Sequence, residues 1–194
     1  MTLSRRRLLL AGTIGLTALA TAAPAMAADA DSDDWTESFM TRAETREGFA
    51  LDGMDDWQVE NARFIIAVCK GHDISAHGTQ IVLATAIVEA WLYNYEPAVD
   101  LDSGGLFQQR PSAGWGSAAE VRHKKKAIDA FLGLGDHSSA PGLLDVAPDY
   151  DDWDLGEAAQ AVQQSAYPDR YAEQASAAKS LWERYSDDVK SYKG

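Results

Sequence analysis

Apolar residues recur at helical spacing through most of the chain after Trp57, and no stretch sustains the apolar/polar alternation of a strand. Asp56 is placed to cap a helix that carries Val59, Phe64, Ile65 and Val68 and stops near Gly71. A second helix is expected from about Thr79 to Trp91. Ser117-Ala118-Ala119-Glu120 has the Ser-x-x-Glu capping-box pattern. It opens a third helix with Val121, Ala127, Ile128, Phe131 and Leu132 on its apolar face and Gly133 or Gly135 at its end. Asp154-Leu155-Gly156-Glu157 repeats that start signal ahead of residues 158–165. After Pro168 the series Tyr171, Ala175, Ala178, Trp182, Tyr185, Val189 and Tyr192 steps by four and three alternately, as one stripe of a continuous helix. The stripe suits either a coiled-coil partner or docking on the protein's own core. The aspartate-rich segment 136–154, with two prolines, is expected as surface loop, and residues 35–53 as short helix at most. The expected fold class is all-α, mainly α with at most a small β element, in a single domain.

Residues 1–27 follow a different plan. Arg5, Arg6 and Arg7 precede an apolar run from Leu8 to about Ala23, which ends in Ala25-Met26-Ala27. This is the layout of a secretory signal with an A-x-A cleavage site, and the adjacent arginines before Leu8 and Leu9 match the twin-arginine export pattern. The apolar run is shorter than the ~20 residues a membrane span needs. The expected organisation is a signal peptide over 1–27, a partly disordered lead-in over 28–56 and a folded domain over 57–194. The product is expected outside the cell or in the cell wall, without stable membrane insertion and as a monomer.

Charge narrows the partners. The chain carries 17 basic and 30 acidic residues, a net charge of −13. Without residues 1–27, which hold three arginines and no acid, 14 basic residues face 30 acidic ones, and the net charge becomes −16. Such a balance argues against nucleic acid, since phosphate backbones need a basic face. The one basic cluster, His123-Lys124-Lys125-Lys126, reads as a solvated face. Cys69 is the only cysteine, so no internal disulfide can form, and its apolar setting marks it as a small buried hydrophobe. His72 and His77 lack the i, i+4 spacing that places two ligands on one helical face, and neither a metal nor a cofactor is expected.

Glu89 is the residue that stands out. It is the one charge between Ile81 and Leu92, on a helix apolar on every side and therefore expected to be buried on every side. One turn back lie Thr85 and Ala86. A carboxylate on such a surface loses hydration, its pKa rises, and it becomes able to act as a general acid near neutral pH. Rotation to solvent or pairing with an arginine would make it merely structural. Downstream, the segment 102–116 is rich in glycine, amide and aromatic residues together. Glycines allow close backbone approach, and Gln108 and Gln109 can donate and accept toward sugar hydroxyl and acetamido groups. Trp115 and Trp91 can lie against sugar faces. No phosphate-loop lysine is present.

Glu89-Ala90-Trp91-Leu92-Tyr93-Asn94, followed by Asp102-Ser103-Gly104-Gly105-Leu106-Phe107-Gln108-Gln109-Arg110-Pro111, resembles the lysozyme-like lytic transglycosylases, most closely their secreted actinobacterial branch. Gly105 to Gly116 matches that branch's G-L-F-Q-Q-R-P-S-x-G-W-G at each fixed position, and Glu157 to Tyr171 also looks like it. The resemblance spans roughly residues 57–178. It implies cleavage of the β-1,4 bond between N-acetylmuramic acid and N-acetylglucosamine in peptidoglycan, with Glu89 as general acid and then base. Gly105, Leu106, Phe107, Gln108, Gln109, Trp115 and Gln163 would bind the glycan strand. Asp100 and Asp102 are the nearest second carboxylates a hydrolase would need. Two departures are visible. The family has Ser after its glutamate where this chain has Ala90. Its late tyrosine, which orients the glutamate, has no counterpart in Val162 to Ala166, where Gln163 is the substitute partner and Tyr167 the nearest phenol. These departures also admit a glycan-binding module that does not cut, and the 171–192 stripe admits a structural or interaction protein.

Overall fold

The computed structural model describes residues 49–96 and 101–192; the expected signal peptide, most of the lead-in and Asp100 lie outside the described residues. Among the described residues the chain is all-α. Its helices are α1 (Asp56–Gly71), α2 (Ala76–Ala90), α3 (Lys124–Leu132), α4 (Leu143–Val146), α5 (Leu155–Gln163), α6 (Asp169–Ala172) and α7 (Ala175–Tyr185). Two isolated antiparallel bridges, Tyr95 with Gly105 and Gly104 with Gln109, are the β pairing seen among these residues.

The centre is α2, against which α1, α5, α6 and α7 all pack. Six of its fifteen residues are β-branched, a composition that disfavours an isolated helix by roughly 0.5 kcal/mol each. Burial reverses that balance. Ile81, Val82 and Leu83 have no exposed surface, and burying each such side chain contributes roughly 1.5–3 kcal/mol. Thr85, equally buried, turns its hydroxyl back to donate to the Ile81 carbonyl at 2.8 Å. Cys69 lies in the same core, where burial pushes its thiol up to about 12.

Several boundaries differ from expectation, each for a local reason. Asp55 rather than Asp56 caps α1, exchanging hydrogen bonds with Gln58 in a full capping box. Ser75 caps α2 by accepting from the Gly78 amide, so the helix starts ahead of Thr79. The Ser117–Glu120 box does form, with the Ser117 amide donating to Glu120 at 2.9 Å, but it closes only a turn. The residues after it are committed to the neighbouring loop: Arg122 donates to the Glu96, Ser103 and Ala118 carbonyls, and its own carbonyl accepts from Asn94. Helix α3 therefore waits until Lys124, with His123 as cap. Segment 136–154 is more than surface loop, since it holds α4 and buries Leu143, Ala147 and Tyr150. Ordered packing also begins ahead of Trp57: Phe49 is buried, with its ring 5.6 Å from that of Trp91.

The stripe after Pro168 is not one helix. It breaks between α6 and α7, and helix ends at Tyr185. Tyr171, Ala178 and Val189 are buried, and the Tyr192 amide donates to the Ala67 carbonyl of α1 at 2.8 Å. The protein's own core covers most of the stripe.

Past Ala90 the chain turns sharply. Trp91 and Leu92 both adopt left-handed backbone, with φ of 50° and 63°, at a cost of order 1–2 kcal/mol for each. Two side chains of α1 hold them there. Gln58 donates to the Trp91 carbonyl at 2.9 Å and Asn61 to the Leu92 carbonyl at 2.7 Å. Replacing Asn61 with alanine leaves a buried carbonyl unsatisfied and is expected to cost about 1–3 kcal/mol in urea unfolding. Lys179→Ala, in the exposed Lys179–Glu183 pair, is expected to change stability by less than about 1 kcal/mol.

Candidate active site

Glu89 sits at the point where α2 emerges from the core. Its neighbours Ile87 and Ala90 are buried, whereas Glu89 itself is only half-buried and faces a cleft of about 760 Å³. The Tyr171 hydroxyl donates to Glu89 Oε1 at 2.5 Å. Burial pushes the Glu89 carboxyl above its ordinary value of 4.5, while the Tyr171 hydrogen bond and the Arg170 guanidinium pull the other way; burial wins. Tyr171 is buried as well, and burial together with the nearby Glu89 charge drives its phenol well up, so it stays a donor. Protonated, the Glu89 carboxyl can give a proton; ionised, it is held in place to take one.

Tyr171 reaches Glu89 through a close helix contact. It lies on α6, whose end rests on the start of α5. A Cβ on Gly156 would fall 2.8 Å from the Ala172 Cβ and 3.0 Å from its amide nitrogen. Only a residue without a side chain lets the two helices meet that closely.

The opposite wall is the 102–116 loop. Gly105 takes a left-handed φ of 73°, and a Cβ there would lie 1.9 Å from the Val121 carbonyl oxygen. Asp102 ties the loop to itself, accepting from the Ser112 amide at 2.7 Å and from Arg110 Nε at 3.1 Å. The Ser112 amide above all holds its carboxyl down at about 2. Phe107 stacks on Phe131 of α3 at 5.1 Å. Gln163 of α5 donates to the Phe107 carbonyl at 3.0 Å and so joins the two walls.

The structure brings Glu89, Phe107, Gln108, Gln109, Trp115 and Gln163 to this one cleft, along with Trp91 and Tyr167. It does not bring Gly105 or Leu106 there. Leu106 has no exposed surface and belongs to the core, while Gly105 shapes the turn. Gln109 is a floor residue, 2% exposed, with its amide donating to the Ala127 carbonyl. Gln163 does not orient Glu89, because its amide is spent on Phe107, and Tyr167 is 63% exposed on the rim. The partner that orients Glu89 is Tyr171. The 171–192 stripe placed Tyr171 on an apolar face, and a tyrosine buried there needs an acceptor for its hydroxyl; that signal could have pointed to it.

The remaining candidates have structural partners. Lys124, Lys125 and Lys126 pair with Glu60, Asp129 and Glu120 at 2.6–2.8 Å. His72 binds Asp129 at 2.9 Å, and His77 contacts the Trp153 carbonyl at 3.1 Å. No protein-family model matches the chain, and no curated protein matches it.

Two outcomes follow from this geometry. Tyr171→Phe removes a hydrogen bond that favours the carboxylate, so Glu89 is expected to titrate at higher pH, read from its side-chain carboxyl carbon by NMR. Because the folded state raises the Glu89 pKa, ionising it weakens the fold. Glu89→Gln is therefore expected to melt higher than the native chain at neutral pH. The gap should close as pH falls from above the raised pKa toward 4.5 and below.

Proposed function

We propose that the protein cleaves peptidoglycan at the β-1,4 bond between N-acetylmuramic acid and N-acetylglucosamine, as a lysozyme-like lytic transglycosylase exported from the cell. The observation that carries this reading is a half-buried carboxyl with raised pKa, oriented by a tyrosine, beside a cleft lined with amides and aromatic rings. Glu89 protonates the glycosidic oxygen as its bond to the muramyl C1 breaks, and the substrate's acetamido group steadies the cationic carbon. The Glu89 carboxylate then takes the proton of the muramyl 6-hydroxyl as that oxygen bonds to C1. A 1,6-anhydro end results, with no water consumed.

The described lining supports this route, Asp100 lying outside the described residues. Among the described residues Glu89 is the one acid lining the cleft, and Asp102 is engaged with Arg110 and Ser112. Hydrolysis in the usual pattern requires a second carboxylate to activate water or attack the sugar. Ala90, in the place of the family's serine, is fully buried and lines no part of the cleft, so the substitution removes no group from it. Among the described residues no helix is long and apolar enough to cross a membrane.

Incubation of the chain with purified peptidoglycan, followed by mass spectrometry, tests the reading. Anhydro-ended fragments are expected, and Glu89→Gln is expected to lose roughly 10²–10⁴-fold in rate. Reducing-end fragments would make the protein a hydrolase. Strand binding without fragments would make it a glycan-binding module, and fragments at native rate from Glu89→Gln would remove Glu89 from the chemistry.

A further inference from the structure

The cleft is charged against the rest of the molecule. On a chain of net charge −13, the charged residues lining it among the described residues are Glu89, Arg110 and Arg170, and Glu89 is held toward its neutral form. Arg110 is already committed to Asp102. Arg170 is exposed, and its side chain makes no hydrogen bond or ion pair among the described residues. That is unusual in this protein. Arg63 lies over the Tyr185 ring, Lys70 and Arg122 donate to carbonyls, and the other described lysines and arginines except Lys190 rest on carboxylates. Lys190 lies outside the cleft lining; Arg170 is in it, next in sequence to the tyrosine that holds Glu89.

An unpaired guanidinium beside a carboxyl that favours its neutral form lacks an internal counter-ion. Its planar fork matches a carboxylate from outside. Resting on the function proposed above, we propose that Arg170 recognises a carboxylate on the 3-O-lactyl arm of the muramyl sugar, so that the cleft selects anionic strands. That arm branches from the same sugar ring whose C1 is cut, which places its acid near Glu89. Two sources carry this chemistry: the lactyl carboxylate of a strand stripped of peptide, and a carboxylate of the attached stem peptide. Tyr167, three residues earlier on the same segment and 63% exposed, offers a ring against which the arm can lie.

The test uses the full chain and three soluble glycan strands. One bears stem peptides, one is denuded with free lactyl carboxylates, and one is denuded with those carboxylates coupled to methylamine. The native chain is expected to show a KM roughly three- to tenfold lower for at least one carboxylate strand than for the amide strand, with similar kcat. Whichever strand has the advantage identifies the source. Arg170→Gln is expected to abolish the advantage, bringing the KM values of all three strands to a common level, and Arg170→Lys to keep part of it. Equal KM on all three strands for the native chain overturns the proposal. So does an Arg170→Gln variant that keeps the native preference while losing kcat equally on every strand, since Arg170 would then act through Glu89. If no strand is cut, the proposed function fails separately. Binding of the same three strands, followed by tryptophan fluorescence, then decides the role of Arg170.

Discussion

The hydrogen bond from Tyr171 to Glu89 joins residues 82 positions apart across the end of α2, the helix on which four others pack. A helix covered on all sides is no place for a carboxyl group, because nothing replaces the water it gives up. At Glu89 the cover opens just enough to admit a cleft, and one donor, the tyrosine, supplies part of what water would have. That single bond keeps an ionisable group at the edge of a hydrophobic core without a salt bridge to neutralise it. Had an arginine closed on Glu89, the carboxyl would have stayed ionised and been of no use as an acid.

The walls on either side hold this arrangement by tension rather than bulk. Two left-handed residues after α2 are gripped by Gln58 and Asn61, so the chain leaves Glu89 abruptly instead of burying it under another helical turn. Gly105 lets the next loop press against the Val121 carbonyl, and Gly156 lets α6 press against α5. The same loop is stitched internally by Asp102, whose carboxylate accepts three hydrogen bonds from Arg110 and Ser112 and is thereby tied to the loop. Strain at the turn is offset by hydrogen bonds from buried amides of α1, and the cleft is what remains between the pieces.

Charge is distributed with similar economy. Among the described residues every acid but Glu89 lies outside the cleft lining, and the lysine cluster at the start of α3 is consumed by three neighbouring carboxylates. The molecule is thus anionic overall while its cleft carries two guanidinium groups and one reluctant acid. On the function proposed, an acidic protein acting on an anionic polymer needs its repulsion kept away from the contact, and such a lining would meet that need.

Much of this was legible from residue order. The all-α class, the buried helix around Ile81–Ile87, the anomaly of Glu89 and the amide-rich, aromatic character of the 102–116 loop follow from periodicity and residue chemistry, which are local properties; that Gln163 joins Phe107, Gln108 and Trp115 at one cleft was implied by the family resemblance. Boundaries slipped where a residue had a distant obligation: Arg122, drawn to the 94–105 segment, delayed α3 beyond its capping box, and the 171–192 stripe concealed a break between two helices. The role of Tyr171 was hidden for the same reason. Spacing placed it on an apolar stripe but did not say what would cover that stripe or what its hydroxyl would face. Which acceptor a buried donor finds, and which arginine is left without one, depends on which helices come within a few ångströms of each other, and that is decided only when the core closes.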